Sequence, residues 1–389
     1  MDQPGADRIH TLPPYLFADI DQRVKAAQAR GVDVINLGIG DPDLPTPEPV
    51  VAARQRAAAV REWQRYPDYL GLPSFREAVA AYYARRFGVA LDPAREVMAL
   101  IGSKEGIAHL TWALVGPTDA VLAPDPGYPV YAVQARLAGA EAVALPLSAG
   151  RFWPQWEAVD AATWRRARLL WINYPNNPTG AVATRGLYQT AVAQCRRHGV
   201  ALASDLAYAD VGFEGYRAPS VLETPGARDV AVEFFSLSKP YRMTGWRIAA
   251  AVGNAALLGA LAALKTHTDS GPFTAVQVAA SRALAPDLDA EVRAGADVYR
   301  RRRDRTVAAL GRVGLRPASP RATFYLWVPA PDGMDGRQAA DLLLDRAAVV
   351  VTPGVAFGDG GRGYFRISLT QPDARLDEAL QRMERALSF

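Results

Sequence analysis

Apolar residues follow two different spacings along this chain. In the first part they recur every three or four residues, which predicts amphipathic helices at 20–30, 49–61, 74–87 and 104–115. Further on, short apolar runs alternate with helical segments. The runs at 98–101, 120–123, 142–145, 169–173, 201–204, 230–235 and 248–252 predict strands, and the segments at 130–138, 185–198 and 255–265 predict helices. This alternation predicts a mostly parallel sheet with helices on both faces.

The pattern changes after about residue 281. An arginine-rich helix is predicted at 290–313, and strands at 323–328, 349–352 and 364–369 alternate with helices at 336–346 and 376–387. This order predicts a smaller α+β domain. We therefore expect an α/β protein with a large domain over 44–280 and a small domain formed by 281–389 together with the N-terminal segment 1–43.

Polar residues directly follow three of the predicted strands. They are residues 173–177, Asp205 and residues 236–239. In mostly parallel sheets, ligands bind in the crevice at the carboxyl ends of the strands. Because three polar clusters fall at such ends, we expect the functional site at this edge of the sheet.

Length and composition favour a globular enzyme of two domains. A chain of 389 residues is too long for one compact core, and its 50% hydrophobic and 22% charged content argues against disorder. The net charge is only +4. The arginines at 300–303 would look like a nucleic-acid patch in isolation. Asp297 and Asp304 flank them, however, and this favours a solvated helix face without a nucleic-acid partner.

The cysteine and histidine content predicts neither disulfides nor a metal centre. Cys195 is the only cysteine, so no intrachain disulfide can form and nothing implies an oxidising compartment. The four histidines are scattered, and Cys195 with His198 lacks a second ligand pair.

The N-terminus has no secretory pattern, and a Gly253–Asn254 turn interrupts the most apolar run. We therefore expect a cytoplasmic protein with no membrane partner.

Lys239 is the most distinctive candidate residue. Of 44 basic residues only those at 25, 104, 239 and 265 are lysines. Arginine stays protonated, whereas a desolvated lysine can attack a carbonyl carbon and form a Schiff base. Arg242 and Arg247 add positive charge nearby, which suits an anion such as phosphate. The alternative is that one lysine falls in a polar loop by chance.

Three further segments could contact a planar, phosphorylated ligand. Residues 102–106 open a predicted helix, whose free N–H groups suit phosphate, although any capped helix has the same pattern. Asp205 could keep a ring nitrogen protonated and Tyr208 could contact a phenolate oxygen, with a helix cap as the alternative. Tyr128 follows a strand and could stack on a ring or simply pack.

Two segments could contact a substrate. Asn-Asn-Pro-Thr-Gly at 176–180 is first of all a turn sequence, but its place after a strand makes Asn177 a site candidate. Arg366 lies in a predicted strand of the small domain. It is either a solvent-facing residue or a bidentate clamp on a carboxylate.

Taken in order, these motifs resemble the class I and II aminotransferases of the type I pyridoxal-phosphate fold. The likeness is carried by Lys239 in Ser-x-Ser-Lys with Arg247 eight residues later, residues 176–180, Asp205-x-x-Tyr208 and Arg366. It extends across almost the whole chain. Residues 36–47, 102–110, 124–131, 173–180 and 243–247 are more similar still to the LL-diaminopimelate aminotransferase subgroup.

The resemblance implies pyridoxal 5′-phosphate as the cofactor and a role for each matching residue. Lys239 would bind the cofactor covalently and Asp205 would pair with its ring nitrogen. Tyr208 and Asn177 would contact the ring 3-oxygen, and Tyr128 would stack on the ring. These roles would make Lys239, Asp205 and Tyr208 the catalytic residues.

The resemblance also implies how phosphate and substrate are held. The phosphate ligands would be Ser103, Lys104 (through backbone amides), Ser236, Ser238 and Arg247. The substrate α-carboxylate would be bound by Arg366, Asn177 and the Gly40 backbone. Tyr66 resembles a tyrosine that reaches the phosphate from the neighbouring subunit, which implies a homodimer with shared active sites.

The activity implied is ping-pong transfer of an amino group between an amino acid and a 2-oxo acid. LL-diaminopimelate or a related dicarboxylic amino acid is the candidate donor. The alternatives are a C–S lyase on the same site and a regulator that senses the cofactor. Such a regulator would carry a DNA-binding module ahead of this region, for which the N-terminal sequence leaves no room.

Two departures from the subgroup bear on the substrate. The subgroup carries Lys-Thr-Tyr-Asn where this chain has Lys-Pro-Tyr-Arg at 239–242, and Asn where His267 stands. Arg242 either faces solvent or a subunit contact, or reaches the site and favours a donor with a distal carboxylate.

Overall fold

The computed structural model describes residues 5–10, 12 and 16–388, so residues 1–4, 11, 13–15 and 389 of the predicted small domain lie outside the described residues. The helices are α1 (Asp7–His10), α2 (Leu16–Ala29), α3 (Glu48–Ala58), α4 (Pro73–Phe87), α5 (Ser103–Leu114), α6 (Val130–Leu137), α7 (Ala161–Arg166), α8 (Arg185–His198), α9 (Ala255–Lys265), α10 (Thr274–Ala283), α11 (Asp289–Arg312), α12 (Gly336–Ala347) and α13 (Asp373–Leu387). The strands are β1 (Ile35–Asn36), β2 (Val97–Leu100), β3 (Ala120–Asp125), β4 (Glu141–Pro146), β5 (Ala167–Asn173), β6 (Ala201–Leu206), β7 (Ala231–Ser236), β8 (Ala249–Gly253), β9 (Tyr325–Pro329), β10 (Val349–Val350), β11 (Thr352–Pro353) and β12 (Tyr364–Ser368).

Seven strands form the central sheet, in the order β2-β8-β7-β6-β5-β3-β4. β8 runs antiparallel to both of its neighbours, and the other ladders are parallel. Alternate residues of β5 are buried on opposite faces of the sheet. Leu170 and Ile172 pack in one cluster with residues of α4 and α8. Leu169 and Trp171 pack in another cluster with residues of α5, α6 and α9. The predicted mostly parallel sheet between helical layers is therefore confirmed.

Local capping explains why some helix bounds could be predicted to the residue. At the start of α8 the Thr184 hydroxyl accepts a hydrogen bond from the Leu187 N–H at 3.2 Å. At its end Gly199 adopts a left-handed conformation with φ of 66°, which glycine reaches without steric cost. Both signals are visible in the sequence, and the predicted helix at 185–198 matches α8.

Several elements differ from the sequence prediction, and α1, α7, α10 and β1 were not predicted. In α10 the polar residues Thr274 and Gln277 are buried, so polarity in the sequence does not mark a solvent face there. The strand predicted at 323–328 begins only at Tyr325. Thr323 has a φ of 71°, which a β-branched residue rarely adopts and which interrupts the extended backbone.

The C-terminal part of the chain forms a second, smaller layer of sheet and helices. β11, β12 and β9 make an antiparallel sheet, and β1 pairs in parallel with β10. A third buried cluster joins these strands to α11, α12 and α13, and it includes Tyr208 and Phe213 from the chain after β6. The N-terminal strand thus packs with the C-terminal region, while the domain limits at residues 43 and 280 stay a prediction. In the described part of the chain, no helix is long and apolar enough to cross a membrane.

Glu233 lies at the centre of the large sheet and is fully buried. Its carboxyl oxygens accept hydrogen bonds from the Tyr83 hydroxyl at 3.0 Å, the Ser204 hydroxyl at 3.0 Å, the Ser220 hydroxyl, and the Val221 N–H at 3.0 Å. Burial raises the pKa of Glu233 from 4.5 to about 7, although all four donors oppose the shift. Between these pH values the folded chain holds a proton that the unfolded chain has lost.

This proton makes stability depend on pH in a direction that can be tested. A carboxyl whose pKa is raised by folding destabilises the native state as pH rises from 4.5 through 7. Relative to Glu233→Gln, the wild-type free energy of unfolding should therefore fall by roughly 2–3 kcal/mol between pH 5 and pH 8. Urea denaturation of both proteins at the two pH values measures the difference. The exposed Glu157, changed to Gln, should show no such pH dependence, and an equal difference at both pH values for Glu233→Gln would contradict the assignment.

Candidate active site

A cavity of about 680 Å³ lies where the carboxyl edge of the central sheet meets the smaller sheet. All the predicted site residues except Tyr66 line it. They are Gly40, Ser103, Lys104, Tyr128, Asn177, Asp205, Tyr208, Ser236, Ser238, Lys239, Arg247 and Arg366. Tyr66 is 89% exposed and lies outside the lining. Residues that are far apart in sequence thus meet in one cavity, with Tyr66 directed elsewhere.

Lys239 enters the cavity from the turn that follows β7. The turn is closed by hydrogen bonds from the Ser238 N–H to the Ser236 hydroxyl at 3.2 Å and from the Met243 N–H to the Ser238 carbonyl at 3.1 Å. The Lys239 Nζ donates to the Gly40 carbonyl at 2.8 Å. The amine is therefore held by a neutral acceptor, which leaves it able to react once its proton is lost.

Asp205 is buried at the end of β6, and its two carboxyl oxygens differ. Oδ2 accepts a hydrogen bond from the Tyr131 hydroxyl at 2.7 Å, whereas Oδ1 is buried without a partner among the described residues. Burial raises the pKa of Asp205 to about 6, against the opposing effects of the Tyr131 hydrogen bond and the Lys239 charge. Sequence reasoning missed Tyr131, for which the only signal was its place three residues after Tyr128.

One end of the cavity is suited to an anion. α5 begins at Ser103, so the free N–H groups of its first turn lie at this end of the cavity. The Ser103 hydroxyl is buried and has no partner in the described part of the chain. Gly102 has a φ of 75°, and a Cβ at this position would lie 2.1 Å from Nη2 of Arg247. Burial, Arg247 and Lys239, in that order, lower the pKa of Lys104. Among the described residues, neither Lys104 nor Arg247 forms an ion pair with a carboxylate, although both line the cavity.

Arg366 occupies the opposite side of the cavity. Its Nη1 donates to Asn177 Oδ1 at 2.7 Å and its Nη2 donates to the Gly38 carbonyl at 2.6 Å, while its buried Nε has no acceptor within the described residues. The guanidinium lies between the rings of Tyr325 and Phe357, at 4.1 and 4.7 Å from their centroids. An arginine held flat in this way can bind a carboxylate in bidentate fashion.

Tyr325 is a second residue that sequence reasoning missed. Its hydroxyl lies 3.3 Å from that of Tyr208, and a Cβ on Gly40 would lie 1.8 Å from it. Only a glycine at position 40 therefore allows the N-terminal segment to pass over this ring. In the sequence Tyr325 was one aromatic residue of a predicted strand, with no further signal.

The Asn-rich turn after β5 supports the floor of the cavity. Asn173 Nδ2 donates to the Asp205 carbonyl at 2.7 Å, and Asn173 Oδ1 accepts from the Asn177 N–H at 2.8 Å. Asn176 Oδ1 in turn accepts from the N–H and the hydroxyl of Thr179 at 3.0 and 2.7 Å. These contacts couple the position of Asn177 to that of Asp205.

The two departures noted in the sequence lie outside the cavity lining. Nη2 of Arg242 lies 3.8 Å from Glu291 of α11, and a Cβ on Gly295 of the same helix would be 3.1 Å from Nη1. Arg242 therefore faces α11 rather than a substrate. His267 is exposed.

The sequence and the fold are similar to those of known proteins. The sequence model of the family described as "Aminotransferase class I and II" matches residues 32–383. An LL-diaminopimelate aminotransferase of Desulforudis audaxviator is 51% identical over 98% of this chain and 97% of that protein. One from Oleidesulfovibrio alaskensis is 50% identical over 97% and 98%, respectively. The structure of substrate-bound BacF from Bacillus subtilis superposes with a TM-score of 0.93 at 37% identity, covering 99% of this chain and 98% of BacF.

Proposed function

Since this chain belongs to the class I and II aminotransferase family, we propose that it transfers the amino group of LL-diaminopimelate or a related dicarboxylic amino acid to a 2-oxo acid. That it is an aminotransferase dependent on pyridoxal 5′-phosphate follows from the family match and the relatives of about half identical sequence. The names of these relatives favour an aminotransferase over the C–S lyase and the regulator. The identity of the donor and the residue roles below are our proposal, and the cytoplasmic location stays a prediction.

The residues of the cavity fit this cofactor. Pyridoxal 5′-phosphate needs an amine for its aldehyde, an anion for its ring nitrogen and donors for its phosphate. Lys239 supplies the amine. The unpartnered Asp205 Oδ1 is the anion, and the unpartnered Ser103 hydroxyl with Arg247 lies at the anion-binding end. Two buried groups of the cavity that lack partners among the described residues, Asp205 Oδ1 and the Ser103 hydroxyl, are thus groups that the cofactor would satisfy.

Each of these residues has a definite task in the reaction. When bound, the cofactor withdraws the electrons left on the substrate α-carbon after that carbon loses its proton. Lys239 Nζ would take this proton as general base and deliver it, as general acid, to C4′, the cofactor carbon that receives the amino group. Asp205 keeps the ring nitrogen protonated, and Tyr208 with Asn177 contacts the ring 3-oxygen. Arg366 holds the α-carboxylate and so orients the α-carbon toward Lys239.

Further residues of the cavity would contact the phosphate and the ring of the cofactor. We assign Ser236, Ser238 and the backbone of Lys104 to the phosphate and Tyr128 to the face of the ring. Support comes from their common place in the lining. The Gly40 carbonyl accepts from Lys239 Nζ, and Gly40 lines the cavity together with Arg366.

The observation that carries the donor proposal is a second lysine cation in the cavity, besides Lys239 and the arginines. The side chain of Lys104 lines the cavity together with Arg366, and its Nζ lies 5.9 Å from the centroid of the Tyr128 ring. A second carboxylate on the donor would neutralise this charge. The relatives' name, LL-diaminopimelate aminotransferase, describes a substrate with two carboxylates.

A panel of amino donors tests this proposal. LL-diaminopimelate and glutamate should be turned over with a higher kcat/KM than alanine, and Lys104→Met should reduce that preference roughly tenfold or more, as expected for loss of one charge-assisted hydrogen bond. The exposed Lys25, changed to Met, should leave the preference unchanged. If Lys104→Met lowers the kcat/KM of all donors equally, Lys104 serves the cofactor alone, and a preference for alanine would contradict the dicarboxylic donor.

Covalent attachment to Lys239 can be tested directly. Borohydride reduction of the wild-type protein should fix the cofactor irreversibly, and peptide mapping should find it on Lys239. Lys239→Ala should keep its circular dichroism spectrum but carry no label, whereas Lys25→Ala should be labelled as the wild type is. A label on Lys104 or Lys265 would contradict the assignment.

We further propose a homodimer in which Tyr66 completes the neighbouring active site. Tyr66, Tyr69 and Phe273 are 89%, 50% and 45% exposed, which is unusual for large apolar side chains. A Cβ on Gly271 would lie 3.3 Å from the Asp68 carbonyl, so the segments that carry these rings are adjacent. Together they form an aromatic surface suited to a second copy of the chain.

Mixing two inactive variants tests the shared site. In a heterodimer of Lys239→Ala with Tyr66→Ala, one of the two sites would have both an intact Lys239 and an intact Tyr66. Random mixing should thus restore activity in about a quarter of all sites. Lys239→Ala mixed with Asp205→Asn should restore none, because both residues belong to the same subunit's site. No recovery in the first mixture, or a monomer in sedimentation, would contradict the shared dimer.

A further inference from the structure

The Asp205 carboxylate is held on one side only. Its Oδ2 accepts from the Tyr131 hydroxyl at 2.7 Å, and its Oδ1 is buried and lacks a partner in the described residues. The backbone carbonyl of Asp205 is fixed separately by Asn173 Nδ2 at 2.7 Å. The hydrogen bond from Tyr131 is therefore what determines which oxygen remains for a ligand in the cavity.

Tyr131 has little freedom to move away from Asp205. Its side chain is fully buried, and its ring stacks on that of Trp171, with centroids 4.9 Å apart and planes 9° from parallel. The ring of Tyr128 contacts it edge-on at 5.7 Å. Two aromatic neighbours thus orient the phenol, and its hydroxyl reaches the carboxylate at a length typical of a charge-assisted O–H···O bond.

The charges around Asp205 show what the hydrogen bond does electrostatically. Burial raises the pKa of Asp205 to about 6, and the Tyr131 hydroxyl and the Lys239 ammonium both lower it. Burial and Asp205 raise the pKa of Tyr131 far above its ordinary value, so it stays a donor over the whole working range. Tyr208 is the other titratable group whose charge would act on Asp205, and burial raises its pKa as well.

We propose that Tyr131 is a positioning residue, which holds Asp205 ionised and turns its Oδ1 toward the ring nitrogen of the bound cofactor. This inference rests on the proposed role of Asp205. Tyr131 does not line the cavity, so it acts through the carboxylate and not by contact with substrate.

The pH dependence of cofactor binding to the cofactor-free protein tests this proposal. Ionised Asp205 binds a protonated ring. Affinity for pyridoxal 5′-phosphate should therefore fall at low pH, as Asp205 takes up a proton, and this fall is the acid limb of the curve of affinity against pH. Tyr131→Phe removes a donor that lowers the pKa of Asp205, and the acid limb should therefore move upward, by about one pH unit. Tyr188→Phe, which removes an equally buried hydroxyl outside the cavity, should leave the limb in place. An unchanged limb in Tyr131→Phe would overturn the proposal.

A double-mutant cycle with Asp205→Asn separates this inference from the role of Asp205 itself. Tyr131→Phe alone should lower kcat roughly 10- to 100-fold with little change in the KM of the donor, since Tyr131 does not touch substrate. In the Asp205→Asn background it should have almost no further effect. An equal loss in both backgrounds would overturn the positioning role. If Asp205→Asn itself binds the cofactor and turns over normally, the assignment of Asp205 fails instead.

A second measurement covers the case in which Tyr131→Phe does not fold. Replacing the phenol of Tyr131 by its more acidic 3-fluoro derivative keeps the stacking on Trp171 and strengthens the hydrogen-bond donor. The acid limb of cofactor binding should then move to lower pH. A shift to higher pH, or none, would contradict a hydrogen bond that acts on Asp205.

Discussion

An excess of positive charge in one cavity is the constraint on which the rest of the site depends. Lys104, Lys239, Arg247 and Arg366 all line it, whereas Asp205 is the only buried carboxylate among its described lining residues. Arg366 is buried and Lys239 half-buried, and cations removed from water are costly unless anions or hydrogen-bond acceptors compensate them. Arg366 and Lys239 use backbone carbonyls and an amide for this purpose. We propose that the charges of Lys104 and Arg247 are compensated by the phosphate of the cofactor and a carboxylate of the substrate.

The backbone around the cavity is arranged to bring these charges together. Gly102 and Arg247 both have a positive φ, and a side chain at 102 would occupy the place of the Arg247 guanidinium. Thr323 also has a positive φ, just before Phe324 and Tyr325 turn toward the site. Sparsely populated conformations of this kind persist where the surrounding structure holds them, and they cluster at functional sites. Here they lie at the two ends of the cavity, beside the proposed phosphate and carboxylate positions.

The sequence allowed prediction of those parts of the fold and site that have a local signal. The sheet could be predicted because apolar runs alternate with helices, and Lys239 and Asp205 because each follows such a run. α10 could not, since its polar residues Thr274 and Gln277 are buried and do not mark a solvent face. Tyr131 and Tyr325 could not either, because their roles come from partners 74 and 117 residues away, Asp205 and Tyr208. Long-range contacts leave no periodic trace in one sequence.

The places of the lysines in the fold show which of these rare residues lie in the candidate site. Lys104 and Lys239 line the cavity, but Lys265 is buried elsewhere, where its Nζ lies 2.7 Å from Asp269 and 3.3 Å from Glu105. His109 joins these carboxylates in a group whose ligand atoms lie within 4.8 Å of one another, an arrangement that would suit a metal ion. The ammonium already supplies the positive charge there, and its compact, three-donor head contacts both carboxylates where a planar guanidinium would not fit as easily. Glu105 also accepts from the Ile101 N–H at 2.8 Å and thereby fixes the turn before α5. Lysine thus occurs in this chain both at Lys239, where we propose that an amine reacts, and at Lys265, where a compact cation supports the turn before α5.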